Sequence, residues 1–467
     1  MLEARGAFRE KEKLGRALAG LRFGKDMAAP IRPALVLPAF AVLAVAFAVL
    51  VVGRPRPVVG VRIRGGPTEG VRELSWRLEL VERLGDLERP LAGRTVSVEA
   101  RRGGGPASTW TGTLDAEGAA SVSVALSGVS ASGPVRVHVT TPEARDAVAD
   151  AGVALTRAEW ASSARRRGGW IEGASVAGMA LRAAPARGVF AVPFRDPLWV
   201  EVRGDRAGSA DIPIGASSEG ATLDGTAVVS RAHPRARLFV TPVEHAVSIF
   251  LTARVAEGTE ARLDLAPAVI PGALHAALEG DALVVESPIV RERAYVAVVS
   301  ESARVLGATV PLVPDARGGA RGVLTVKALP PGPLWAVVSS EPELRSASLV
   351  GWPLVVSDSG EPATTFDVPD VLLLDSVGAA LSREAARVHR VRALAATFSA
   401  LALALAGLLI TRAARRARAD LEAHLERAGA DEDSTRRVAD AGAWSVVVAL
   451  LCLGLAAVMA AMYALWR

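Results

Sequence analysis

Three uncharged apolar runs constrain this chain more than any other feature. Residues 34–52 ("ALVLPAFAVLAVAFAVLVV") carry no charge over 19 positions, 393–410 none over 18, and 444–466 none over 23. As helices they reach about 27–35 Å, which matches the roughly 30 Å hydrocarbon core of a bilayer. A core helix of a soluble protein rarely runs five turns without a polar face. The runs therefore predict three transmembrane helices, over 34–53, within 382–428 and within 434–466.

Lysine and arginine placement gives the orientation. Residues 1–33 form a basic segment with eight such groups (Arg5, Arg9, Lys11, Lys13, Arg16, Arg22, Lys25, Arg32), against Arg54, Arg56, Arg62 and Arg64 beyond the first run. The 411–443 loop holds Arg412, Arg415, Arg416, Arg418, Arg427, Arg436 and Arg437, whereas Arg467 alone follows the third run. Both comparisons put the N-terminus and this loop in the cytoplasm, the long middle outside, and the C-terminus outside. Arg383, Arg387, Arg390 and Arg392 on the outer flank of the second run weaken that asymmetry. The long basic leader and the lack of a small-x-small site before "GRPRP" favour an uncleaved signal anchor over a signal peptide. The expected location is an integral membrane protein of a bacterial inner membrane. An arginine share of fifty in 54 basic residues fits a GC-rich bacterial coding bias.

A pI near 9.9 invites a nucleic-acid reading. Charge by compartment argues against it: net +4 over 1–53, +4 over 382–467, and −3 over 54–381. The positive charge sits beside the lipid, so the bilayer is the expected partner and nucleic acid is not. The single cysteine, Cys452, lies inside the third run, leaving the middle without an internal disulfide.

Between 58 and 365 apolar residues alternate at spacing two with turn residues between, the period of half-buried strands. "RELSWRLEL" puts Leu74, Trp76, Leu78 and Leu80 on one face. Val96 with Val98, Val122 with Val124, and Val135 with Val137 and Val139 do the same. "TLDAEGAA" carries an Asp-x-x-Gly turn suited to a tight hairpin. Such texture predicts tandem β-sandwiches over 58–141, 170–265 and 266–365, with 142–169 a linker or short helix. The fold class is thus a mainly β exported region plus three transmembrane helices, the last two paired as a hairpin.

"LAGRTVSVEARRGGGPASTWTGTLDAEGAASVSVAL" (91–126) resembles a hairpin of bacterial immunoglobulin-like and macroglobulin-type envelope modules, a resemblance covering about residues 91–140. It implies an exported binding or spacer module. The thioester Cys-Gly-Glu-Gln of macroglobulin protease traps is missing, so covalent trapping does not carry over.

Motifs for chemistry are sparse. The histidines (His138, His233, His245, His275, His389, His424) are scattered singly, without metal-ligand spacing. "GASSEG" and "GASVAG" both miss the Gly-x-Ser-x-Gly elbow, and "RRGGGPAST" lacks the Gly-Lys-Ser/Thr ending of a phosphate loop. No catalytic, cofactor or metal residues are therefore assigned. Arg165, Arg166 and Arg167, three residues before Trp170, are candidates for gripping an acidic polymer, carbohydrate or partner carboxylate. The plainer reading of the same stretch is a solvated loop between domains.

The second helix is expected to begin near Ser382 as N-cap and to run past Ile410, with no breaker before Gly429. Leu421 and Leu425 stack at i,i+4 and are candidate contacts with the start of the last helix or with a protein partner in the membrane or envelope. The leading expectation is a non-enzymatic cell-envelope protein that binds or spaces partners. One alternative is an accessory subunit acting through its helical hairpin. The other is an exported hydrolase with a site assembled from distant residues.

Overall fold

The computed structural model describes residues 51–126, 133–142, 147–204, 211–256, 259–316, 318–326, 329–345, 347–356, 360–427 and 454. The chain divides into two compact units, Val58–Ala379 and the combination of Met1–Pro57 with Ala380–Arg467.

The larger unit is built almost entirely from strands. One sheet runs Leu87–Pro90, Glu73–Leu84, Val58–Gly65, Val371–Asp375, and Ala119–Ala125 also pairs with Glu73–Leu84. A second sheet runs Ser108–Thr113, Thr95–Arg102, Val135–Thr140, Ala149–Val153. Their inward residues make a single core with Leu74, Trp76, Leu78, Leu80, Val96, Val98, Val122, Val124 and Val135 to Val139 at alternate positions, each at most 2% exposed. The apolar faces read at period two all point into this core, although in Glu73–Leu84 the opposite face, with Ser75 and Arg77, is buried as well.

This first sandwich reaches beyond 58–141. Ala149–Val153 pairs with Val135–Thr140, and Val371–Asp375 pairs antiparallel with Val58–Gly65, with Arg62 opposite Asp375. The chain therefore enters this sandwich and finally leaves it on neighbouring strands, Val58 and Asp375 lying toward the same end of the sheet. Ser376 fixes the return: its Oγ accepts from the Val61 N–H at 2.8 Å and its N–H donates to the Val61 carbonyl at 3.0 Å.

The "TLDAEGAA" turn forms as read, with Asp115 Oδ1 accepting from the Glu117 and Ala119 N–H groups at 2.9 Å and Gly118 at φ +68°. It is not a hairpin. Ser108–Thr113 and Ala119–Ala125 lie in different sheets, so the turn is a corner carrying the chain across the core.

A second core joins the sheet Ile171–Glu172, Met179–Pro185, Asp196–Gly204, Arg235–Pro242, Ala221–Asp224 to the sheet Ala227–Val229, Ile212–Glu219, Ser248–Ala256, Thr259–Leu265. A third joins His275–Glu279, Ala282–Ser287, Ala320–Thr325, Val313–Pro314 to Arg304–Pro311, Arg293–Val299, Trp335–Ser339, Val350–Pro353. Two short pairings stitch distant segments: Phe190–Ala191 with Val269–Ile270, and Arg165–Arg167 with Thr365–Asp367.

The 142–169 stretch, expected as a linker or short helix, holds a short helix that packs into the unit. Helix α1 (Arg157–Ser162) opens with a capping box, the Glu159 N–H donating to Thr156 Oγ1 and the Thr156 N–H to Glu159 Oε2. It buries Trp160, at 1% exposure, edge-on against Phe366 with ring centroids 5.9 Å apart. Trp160 belongs to a fourth core with Tyr295, Trp335, Val337 and Phe366.

Helix α2 (Val377–Arg427) runs 51 residues without a break. It begins five residues before Ser382, because Asp375 Oδ1 already accepts from the Val377 N–H at 2.9 Å and supplies the cap. The extension past the apolar run is present, out to Arg427. Phe398, Leu401, Leu405 and Leu408 are all at least half exposed, and the helix is long and apolar enough to cross a membrane. In this smaller unit Arg387 donates to the carbonyls of Val52 (2.6 Å) and Arg54 (2.8 Å), and Glu384 accepts from the Arg56 N–H at 2.7 Å. The bond from Arg387 holds the Glu384 carboxyl at about 2, against the mild opposing effect of burial. Of the first apolar run only Val51 and Val52 are described, and of the third only Gly454. The expected first and third spans, the hairpin turn and the basic 1–33 segment lie outside the described residues.

Candidate functional site

The three arginines singled out in the sequence are drawn apart by strand alternation. Arg165–Arg167 is a strand, so neighbouring side chains leave on opposite faces. Arg166 pairs with Glu301 at 3.0 Å and lies 5.2 Å from the Phe366 ring. Arg167 faces Asp367 at 3.5 Å. Burial raises the Asp367 pKa, opposed by the Gly351 N–H and by the charges of Arg167 and Arg165. Trp170 is not with them; it stacks under Arg182, 4.2 Å from its centroid, and Arg235 at 5.7 Å. Leu421 and Leu425 lie on the backbone of α2, and their side chains fall outside the described residues.

The aromatic–arginine surface lies instead on the outer face of the second sandwich, where register sets Trp199 opposite Arg237, Pro197 opposite Phe239 and Glu201 opposite Arg235. Two ladders form there. In one, Arg182 and Arg235 flank Trp170 and are closed by Glu201 (2.6 and 2.8 Å), with Glu361 also on Arg235. In the other, Arg195 lies 3.7 Å from the Phe239 centroid, and Arg237 stands 5.2 Å from Phe239 and 5.9 Å from Trp199. Asp224 pairs with Arg195 at 3.3 Å, leaving this ladder with an excess positive charge on exposed Arg237. The buried Trp199 Nε1 has no acceptor among the described residues.

Charged side chains also hold the sandwiches together. Between the first and third, Arg304 meets Asp370 in a two-bond fork (2.9 and 3.1 Å) and donates to Ser75 Oγ at 3.1 Å, both ion-pair side chains at most 5% exposed. Gly66 lets the guanidinium stem through: a Cβ there would meet Arg304 Cβ at 2.8 Å. Beside it, a cleft of about 250 Å³ opens between Arg62, Arg77, Glu117 and Tyr295. Glu117 accepts from the Tyr295 hydroxyl at 2.7 Å and from Arg77 and Arg293, while Arg77 also donates to Thr309 at 2.8 Å. Burial, then the Glu117 carboxylate, pushes the Tyr295 hydroxyl pKa up.

Between the second and third sandwiches His275, 8% exposed, is the centre. Its Nε2 lies 3.4 Å from Asp196 Oδ2 and 3.2 Å from Arg187 Nη1, and its Nδ1 lies 3.7 Å from Glu286 Oε2. Phe194 stacks on the imidazole at 4.9 Å and Trp352 packs edge-on at 4.8 Å. Arg187 reaches Asp196 Oδ1 at 3.3 Å and donates to the Ala276 carbonyl at 2.9 Å. Sequence reading passed over His275, because its partners stand up to 88 positions away. Its only local sign is an imidazole at the start of a strand whose cross-strand neighbour is Glu286. Among the described residues no group of three or more His, Cys, Asp or Glu side chains has a metal-holding arrangement.

No protein-family model and no curated protein matches the chain. Among solved structures, a marsupial T cell receptor is similar at 8% identity and a TM-score of 0.14, over 59% of this chain and 95% of that one. A tetra-tandem repeat from the extending region of a large adhesion protein is similar at 12% identity and a TM-score of 0.15, over 68% of this chain and 74% of that one. At such scores neither likeness carries an argument, and the sandwich architecture rests on the strand pairing itself.

Proposed function

We propose that the chain is a membrane-anchored cell-envelope protein without catalytic activity. Its immunoglobulin-like sandwiches stand outside the membrane as a braced arm that binds or spaces partners, held by three transmembrane helices. The observation that carries this reading is helix α2: it follows the returning strand Val371–Asp375 directly, yet keeps Phe398, Leu401 and Leu405 at 56–61% exposure. Apolar side chains presented outward along such a helix are stable in lipid and costly in water.

The joints brace the sandwiches against one another. Arg304–Asp370 and the Glu117 cluster tie the third sandwich to the first, so relative movement would strand buried charge. The carboxylates in these joints are engaged by arginine, histidine or tyrosine, which is the chemistry of bracing. The contact face we assign is the outer sheet of the second sandwich, where Arg237 between Trp199 and Phe239 suits an acidic group on a carbohydrate or acidic polymer.

A second reading, an accessory subunit of a membrane complex, is favoured by the continuation of α2 from 411 to Arg427, with Arg412, Arg415, Arg416 and Arg418 exposed beyond the apolar stretch. Purification in mild detergent followed by mass measurement separates the two. A chain free of stoichiometric membrane partners supports the stand-alone arm; a second membrane protein in fixed ratio supports the subunit.

A further inference from the structure

We propose that His275 is a pH-sensitive latch holding the second sandwich to the third. It goes beyond the binding role and rests on geometry independent of any partner.

The latch lies in a row of alternating charge crossing the joint. Arg187 and Asp196 come from the second sandwich. On the third, strand register aligns His275, Glu286 and Arg321, and Arg321 pairs with Glu279 at 3.3 Å. Asp315 adds a further negative charge near Glu286. Phe194 stacks on the ring and Trp352 packs edge-on against it, and neither brings charge. Trp352 is itself fixed, its Nε1–H donating to the Leu274 carbonyl at 2.8 Å.

His275 is the member of this row whose charge changes nearest neutral pH. Protonated, its Nε2–H faces Asp196 Oδ2, a buried oxygen with no other hydrogen-bond partner among the described residues. Its Nδ1–H then faces Glu286. Neutral, the ring carries one N–H and serves one side only: on Nε2 it still donates to Asp196 but turns an Nδ1 lone pair toward Glu286, and on Nδ1 it leaves Nε2 accepting from Arg187 Nη1 with Asp196 Oδ2 lacking a donor. Either tautomer gives up the imidazolium charge that faces Asp196 across the joint, and the second also leaves a buried carboxylate oxygen uncompensated.

Burial by itself would lower the imidazole pKa. The bond and charge of Asp196, helped by Glu286, outweigh it and hold the pKa above the ordinary 6.5, against Arg187. Because the folded joint prefers the protonated ring, its contribution is full below about 6.5 and is lost as pH rises through the raised value. Each unit of that rise multiplies the opening equilibrium by about ten on deprotonation.

Hydrogen–deuterium exchange on the full chain in detergent, corrected for intrinsic rates and run from pH 6 to 9, tests this. The strand Thr95–Arg102 of the first sandwich is the internal reference. Protection over 187–196 and 275–287 is expected to fall relative to that strand as pH rises, by about tenfold for each unit by which the folded joint raises the imidazole pKa. His275→Gln should flatten the profile. Asp196→Asn should move the midpoint to lower pH, which a purely structural loss would not do, so it remains decisive should His275→Gln fail to fold. A wild-type profile that tracks the reference strand, protection that rises with pH, or an unmoved midpoint in Asp196→Asn overturns the proposal.

Discussion

Asp370→Asn leaves the Arg304 guanidinium buried opposite a neutral amide. Both side chains are at most 5% exposed, so water cannot screen the unpaired charge, and the two-bond fork at 2.9 and 3.1 Å is lost. Breaking a buried pair from one side costs about 3–5 kcal/mol, a melting-temperature fall on the order of 10 °C. Removing both charges with Arg304→Met and Asp370→Leu also removes their desolvation cost. What remains is the Ser75 hydroxyl, 8% exposed, without its donor from Arg304, worth about 1–2 kcal/mol. Thermal melting of the full chain in detergent should therefore rank wild type first, the double variant slightly below, and Asp370→Asn far below. A double variant as unstable as the single one, or a single variant within about 1 kcal/mol of wild type, would refute the claim that this pair braces the first sandwich to the third.

Gly118→Ala should destabilise by about 2 kcal/mol or more, since φ is +68° and the new Cβ would meet Leu91 N at 2.7 Å and Leu80 O at 2.9 Å; the same melting assay reads it. Arg237→Gln should weaken retention of oligogalacturonate by about fivefold, with Arg165→Gln unchanged, in biolayer interferometry; equal losses would move the contact face away from the second sandwich. Glu384 carries its pKa near 2 against an unfolded 4.5, so its bond to the Arg56 N–H should persist down to pH 4 and be lost only as pH falls toward 2. Amide exchange at Arg56 measures this, with Glu384→Ala, which removes the acceptor, fast at every pH.

What could be read in the sequence was what neighbours decide. Leu74, Trp76, Leu78 and Leu80 show their shared face by period alone, and Asp115 with Gly118 shows its turn. The same residues do not say which sheet the next strand joins, and there the hairpin expectation failed: the choice is made by Glu73–Leu84, whose partners lie 40 to 52 positions later. Ser382 looked like a cap because good helix formers follow it. Asp375 took that role once Ser376 was bound to Val61, 315 positions away. Arg165, Arg166 and Arg167 looked like one basic patch because they adjoin in the chain, whereas a strand separates adjacent side chains. The ladders and the His275 joint join residues from different strands, and beyond the His275–Glu286 pairing no local pattern announces them.

The proposal that this is a membrane-anchored arm facing outward is tested most directly by cysteine accessibility. Single cysteines replace Ala120, Ser300 and Ala430 in a Cys452→Ser background, and spheroplasts are treated with a membrane-impermeant maleimide. Labelling at 120 and 300, with 430 reached only after permeabilisation, is the expected result. Labelling at 430 in sealed spheroplasts, with 120 and 300 protected, would contradict it.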